Sequence, residues 1–364
     1  MTILLFVLIL GILVFVHELG HFAVARWSGV AVEEFGFGFP PRIFGVKRGA
    51  TTYTINWIPF GGFVRLQGEQ EDQAQRADSF VRAPFRKQFA ILAAGVVMNA
   101  VLAWLLLTIT FVAGVTTDPA TIPVNNAART TPVRVEAIVS DAAPASAAGL
   151  ATGDRILSVN GQQLLSTDDL IAYAKNANYP VLIFDVLHQN TRRTITVTPR
   201  PEQESPRYGL GLQAVTTLSY PWYVAPWYGA QAAATMTQQT IAGFGTLLRD
   251  ILTTAKVSSD VTGPVGIAVL TGQVAQYGVI ATLQFMAVLS VSLAVVNFLP
   301  LPALDGGRAL FVIIGKLRKK PVDAQVEGII HTIGFYTLLA LIVVLSVRDI
   351  SRYHILDQVK GLFN

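Results

Sequence analysis

The chain has 364 residues, 52% hydrophobic and 14% charged, with mean hydropathy +0.50, whereas soluble domains carry roughly 25% charged residues. That deficit predicts a polytopic membrane protein with some soluble mass; the net charge of +4 comes with no basic run interleaved with aromatics, so a nucleic-acid partner is excluded. The absence of cysteine rules out disulfides, thiolate nucleophiles and Cys-ligated metal.

In chain order, the first element is an apolar run over 3–25 that carries no Lys or Arg before Arg26. A bilayer-spanning helix needs about 20 apolar residues, and 3–25, 89–115, 278–299 and 328–347 all qualify. After the first span, Phe35, Phe37 and Phe39 alternate with Gly36 and Gly38. Further on, Tyr53, Ile55 and Trp57 alternate with Thr52, Thr54 and Asn56. Period-2 alternation of β-rich residues predicts half-buried strands, so 31–66 is expected to hold a membrane-associated β-hairpin. It is either a re-entrant element or an ordinary cytoplasmic hairpin.

In the second span, Gly95 and Asn99 lie four apart on one face; such an Asn is either interhelical hydrogen-bond glue or part of a site. Residues 116–127, rich in Pro, Asn and Thr, read as a linker. A domain is expected over 128–202, where Ala148-Gly149-Leu150 leads through Gly153-Asp154 to an apolar strand and an Asn160-Gly161 turn. Residues 203–277 read as a connector, with 229–256 an amphipathic helix outside the membrane.

Lys and Arg set the orientation. Arg26, Arg42, Lys47, Arg48, Arg65, Arg76, Arg82, Arg86 and Lys87 follow the first span. Arg308, Lys316, Arg318, Lys319 and Lys320 follow the third. Both loops are expected in the cytoplasm, so 116–277 and both termini fall outside.

The chemistry lies in His17-Glu18-Leu19-Gly20-His21. Residues i and i+4 of a helix share a face, so both imidazoles can reach one ion. Glu18 stands beside them, placed to act on water rather than on metal. Zinc takes neutral imidazole and lowers the pKa of its water to about 7. An ionised residue at the centre of a membrane helix costs about 2.5–3.5 kcal/mol on insertion scales, which argues against a chance match. Catalytic zinc usually takes three protein ligands. His188 and His354 lie outside the spans, and His331 reads as a helix-packing or interfacial histidine. Asp305 is the better candidate, in Asn297-Phe-Leu-Pro300-Leu-Pro302-Ala-Leu-Asp305-Gly306-Gly307. Pro300 and Pro302 break the helix, and irregular backbone at membrane depth needs protein or a water-filled cavity around it. The alternative for Asp305 is a helix cap at the membrane surface.

HELGHF in the first span, INWIPFGGFVRL (55–66), TGPVGIA (262–268) and NFLPLPALDGG after the third span together resemble the site-2 protease family. The likeness is strongest to bacterial regulators of extracytoplasmic stress of the RseP type. It covers nearly the whole chain and implies the following architecture. Four transmembrane helices and the β-hairpin form a membrane domain in two parts, 1–115 and 278–364, the latter with the LDG motif at 304–306. Between them lies one extracytoplasmic α/β PDZ-like domain, where some relatives have two.

The resemblance implies an intramembrane zinc metalloprotease of the inner or plasma membrane, one Zn2+ per chain, with His17, His21 and Asp305 as ligands and Glu18 as catalytic base. It places Asn297 near the scissile strand. Asn99, Gly36, Gly38, Pro300 and Pro302 complete the candidate substrate-binding set. The expected partners are the lipid bilayer and single-span membrane proteins of the anti-sigma-factor or remnant-signal-peptide kind, cut after their outer domain has been trimmed. The PDZ-like domain would act as a size filter or bind a peptide. A metal transporter and a PDZ scaffold with a dead site are the competing classes, and Glu18 speaks against both, because neither needs a base beside a two-histidine face.

Overall fold

A computed structural model describes residues 2–68, 78–117, 128–130, 134–139, 143–151, 153–162, 181–188, 191–199, 208, 210–254, 262–320 and 322–353. The chain divides into two units, one built from residues 1–109 and 226–364, the other from 110–225.

The first unit begins with α1 (Thr2–Ser28), whose buried residues include Ile9, Leu13, His17, Gly20, His21 and Ala25. Steps of three and four place these on one face, while Ile3, Leu4 and Leu8 on other faces stay exposed. Two long strands follow, β1 (Val32–Arg48) and β2 (Thr51–Leu66). They turn at Gly49-Ala50, where Gly49 takes φ +62°, a left-handed conformation that suits glycine.

The expected strands at 31–39 and 52–57 are therefore the cores of a longer ribbon, and Pro40-Pro41 lies inside β1. Residues 42–48 pair with 51–56, whereas 32–37 pair on one side with 52–55 and on the other with 62–66. Buried Glu34 ties these segments together, accepting from Thr54 Oγ1 and Arg42 at 3.0 Å each, with Arg65 at 3.4 Å. The expected alternation has its cause in packing: Phe35 stacks on Phe22 of α1 with ring centroids 4.7 Å apart, and Phe37 meets Phe15.

α2 (Phe85–Ala113) shares a core with α1 and α6 (Val279–Phe298), formed by Ile9, Leu13, Ala103, Leu107, Met286, Ala287, Val291 and Val295. Gly20 makes the α1–α2 approach possible, because a Cβ there would stand 2.4 Å from the Ala94 carbonyl oxygen. α4 (Ala225–Thr254) is a helix over most of the stretch 229–256. It packs along the end of α2, with Trp104 Nε1–H donating to Pro226 O at 2.8 Å.

Two further helices lie outside the sequence-based expectation. α5 (Pro264–Gln276) packs against α1, α6 and α8 (Ala324–Arg352). Its first turn has no side-chain cap of its own, and buried Asp349 of α8 supplies one by accepting the Gly266 N–H at 2.8 Å. An anion at a helix N-terminus satisfies orphan donors and meets the positive end of the dipole. α7 (Asp305–Arg318) starts at the LDG motif. Among the described residues, four helices, α1, α2, α6 and α8, are long and apolar enough to cross a membrane.

The second unit is an antiparallel sheet of β3 (Val115–Thr117), β4 (Arg129–Thr130), β5 (Arg134–Val139), β6 (Arg155–Val159), β7 (Leu182–His188), β8 (Thr191–Val197) and β9 (Leu210–Ser219). The order is β3-β9-β5-β6-β7-β8, with β4 also on β9. Leu182, Phe184 and Val186 point inward with Ile156, Val159, Ile195 and Val197, the period-2 pattern of a half-buried strand. Between β5 and β6 lies the short helix α3 (Pro144–Ala147). Asn160 and Gly161 take φ +49° and +78°, as the expected tight turn requires. The sheet overruns the expected 128–202 boundaries. Residues 210–219, read as connector, form β9 and pair with β5 along its full length. Long-range pairing of this kind leaves no local signal. Most of the 116–127 linker, and His354, lie outside the described residues.

Candidate metal centre

His17 and His21 occupy the buried stripe of α1 one turn apart, and their Nε2 atoms approach to 3.1 Å. Asp305, first residue of α7, meets them from the other end of the sequence. Its Oδ2 lies 2.8 Å from His17 Nε2 and 3.2 Å from His21 Nε2.

The turn that delivers Asp305 is tightly built. Gly306 and Gly307 lie against the carbonyls of Leu299 and Leu301, where a Cβ would come within 2.2 Å of each oxygen. Ala303 takes a left-handed φ of +73°, strained for a residue with a Cβ. Its N–H donates to His331 Nδ1 at 2.8 Å. His331, expected as a packing or interfacial residue, thus braces the loop from α8. It stands apart from the donor cluster.

The donor set fits zinc. Ligand atoms about 2.0–2.1 Å from a tetrahedral zinc stand about 3.3 Å from one another, close to the three separations here. Two imidazole nitrogens and one carboxylate oxygen are a catalytic-type set that leaves a position open. His21 Nδ1–H donates to the Ile91 carbonyl at 2.7 Å, which leaves its Nε2 lone pair facing the centre, the arrangement metal-binding histidines use. Gly95 of α2 closes the other wall. A Cβ at that position would stand 2.4 Å from His21 Nε2 and 2.7 Å from His17 Nε2, so the space an ion needs exists because residue 95 is glycine. The spacing of Gly95 and Asn99 was the signal for this wall, but not for its purpose. Among the described residues, His17, His21 and Asp305 form the single cluster of three or more potential metal ligands.

Beside the donors lies a cavity of about 210 Å³ lined by Val14, His17, Glu18, Asn99, Leu293, Asn297, Ala303, Leu304 and Asp305. Glu18 borders this space and is not one of the converging donors. It neighbours β2, since a Cβ on Gly62 would stand 3.5 Å from Glu18 Cγ, and the Val64 backbone hydrogen-bonds its carboxylate. Asn297 lines the same cavity.

The other candidates are not among the residues lining this cavity. Gly36 lies under the Phe63 ring and Gly38 takes φ +82° against the Ile58 carbonyl, so both are needed inside the sheet. Pro302 packs on Gly334 of α8, and Pro300 is exposed.

Membrane-length apolar helices that bury two histidines one turn apart, with a carboxylate closing the set, define a metallopeptidase of the membrane class. Residues 5–341 match the model of peptidase family M50. The chain belongs to this family, the site-2 proteases, and is a zinc metalloprotease whose cofactor is Zn2+. It is 34% identical to a protein named as a zinc metalloprotease in Clostridium perfringens, covering 93% of this chain and 95% of that one. It is 30% identical to the zinc metalloprotease RasP of Bacillus licheniformis (96% and 99% covered). The same identity relates it to the regulator of sigma-W protease RasP of Bacillus subtilis (96% and 98% covered).

Proposed function

We propose that this chain cleaves single-span membrane proteins within their transmembrane segments, with His17, His21 and Asp305 holding one Zn2+ and Glu18 serving as base. The observation that carries this reading is the convergence of three donors and a separate carboxylate, Glu18, on one small cavity between apolar helices. Zinc, when bound, supplies Lewis-acid polarisation of a carbonyl and acidifies water. Asp305 and the two imidazoles fix its position. Glu18 takes the proton of the attacking water and returns it to the leaving amine, so one group serves both halves of the hydrolysis. Val14, Leu293 and Leu304 give the cavity an apolar part beside these polar groups.

A helical substrate must unwind before its carbonyl can be attacked. Among the described residues, the strand partner of 62–66 is 32–37, and the segment runs beside Glu18. An extended peptide adding to this segment would gain backbone hydrogen bonds beside Glu18, with Asn297 lining the same cavity. The basic loops after the first and third spans support a cytoplasmic location for that end of the site, with the sheet domain and both termini outside. In this reading the outer domain is PDZ-like and acts as a size filter, so substrates are cut well once another protease has removed their bulky outer part. The B. subtilis relative's name, a regulator of sigma-W, supports anti-sigma-type regulators as the substrate class.

The test uses purified protein with a single-span substrate, full-length or pre-trimmed, with and without chelator. The expected products are cut inside the apolar segment, faster for the trimmed form, and lost on chelation. Cleavage confined to soluble loops would contradict the proposal.

A further inference from the structure

Asn99 of α2 is fully buried, which at membrane depth calls for an explanation. Interhelical glue does not supply it. The hydrogen bond that joins α2 to α6 here runs from Ser290 Oγ to the backbone carbonyl of Asn99 at 2.8 Å and leaves the side chain unused. That side chain turns instead to His17, with the amide Nδ2 3.4 Å from Nδ1. The amide Oδ1 is buried without a hydrogen-bond partner.

A zinc-ligating imidazole has one ring nitrogen on the metal, so the other carries the proton and must donate it. His21 meets this need through the Ile91 carbonyl. His17 faces zinc with Nε2, so its Nδ1–H needs an acceptor, and the amide facing it carries an unused carbonyl. The two ends of a primary amide are nearly isosteric, and a half-turn about Cβ–Cγ exchanges them. The proton on Nδ1 decides which end faces the ring.

Resting on the ligand assignment proposed above, we infer that Asn99 is the positioning residue of His17: its side-chain carbonyl accepts the Nδ1–H of the zinc-bound imidazole. Asn99 thereby selects the tautomer whose Nε2 lone pair points at the metal and fixes the ring plane. One turn away, Gly95 leaves room for the ion. The spacing Gly-x-x-x-Asn thus places both services of α2 on one face, the clearance and the acceptor. Loss of an outer-shell partner of this kind typically lowers metal affinity about 10–100-fold.

The experiment measures zinc affinity of the full-length protein in detergent by competition with a chelator of known affinity, for wild type, Asn99→Leu, Asn99→Asp and His17→Ala. Aspartate keeps an acceptor and lacks the amide donor. Asn99→Leu is expected to bind zinc about 10–100-fold more weakly, Asn99→Asp to stay within about threefold of wild type, and His17→Ala to lose more than either. If Asn99→Asp falls as far as Asn99→Leu, the donor end matters and the inference is overturned. Wild-type affinity in Asn99→Leu, with affinity lost in His17→Ala, overturns it as well. If Asn99→Leu does not fold, the Asn99→Asp result decides on its own, retained affinity supporting the inference and lost affinity overturning it. Retained affinity in His17→Ala would instead overturn the ligand assignment itself.

Discussion

Replacing Gly95 by alanine adds a single methyl group, and the structure specifies what that methyl meets. It would lie 2.4 Å from His21 Nε2, 2.6 Å from His17 Cε1 and 2.7 Å from His17 Nε2. Non-bonded heavy atoms sit at about 3.5–4.0 Å, so the overlap is about 1 Å on three atoms at once. Neither ring can withdraw freely: His21 is held to the Ile91 carbonyl and His17 is wedged between Asp305 and Asn99. Overpacking of this kind typically costs about 1–3 kcal/mol. At about 1.4 kcal/mol per tenfold, a cost borne by the metal-bound arrangement weakens zinc about 5- to 150-fold. The assay is chelator competition on the purified variant, alongside its unfolding midpoint. Gly95→Ala should bind zinc weakly while remaining folded. Wild-type zinc affinity in a folded Gly95→Ala protein would refute the claim that this glycine makes room for the ion.

Asp305→Ala should lower zinc content as well as activity, because it removes one of the three proposed ligands; unchanged metal by elemental analysis would place the third ligand elsewhere. Asp349→Ala should cost about 1–3 kcal/mol of stability by leaving the buried Gly266 N–H without its acceptor; an unchanged unfolding midpoint in detergent would show that α5 does not need this cap. For orientation, the cysteine-free chain allows single-cysteine labelling at two exposed positions. Thr196→Cys should react with an impermeant thiol reagent in intact cells and Lys320→Cys should not, and the reverse pattern would invert the topology.

The elements that were legible in the sequence owe their signals to local physics. Four apolar runs long enough for a bilayer became α1, α2, α6 and α8 with ends shifted by a few residues. The alternating phenylalanines became the part of β1 that packs on α1. His17 and His21 could be paired because helical spacing alone brings them together. Asp305 could be guessed from a broken helix at membrane depth, but its approach to the histidines depends on a turn that only the fold defines. α5 was not legible, because 13 residues are too few to span a bilayer and its cap comes from Asp349, far away in the chain. β9 was hidden for a similar reason, since pairing with β5 joins segments more than 70 residues apart. The service of Gly95 is steric and becomes visible once α1 and α2 are side by side. His331 reads as a helix-packing or interfacial histidine because nothing local reveals that it holds the strained Ala303 turn.

In the proposed mechanism the three converging donors bind the metal while Glu18, beside them, moves the proton. Glu18→Gln tests it most directly, because the amide preserves shape and leaves every donor in place. Zinc per chain and cleavage of a single-span substrate are measured on the same preparation. Wild-type zinc content with cleavage abolished is the expected result. Cleavage at the wild-type rate would remove Glu18 from the chemistry, and loss of zinc with cleavage would make it a ligand rather than the base.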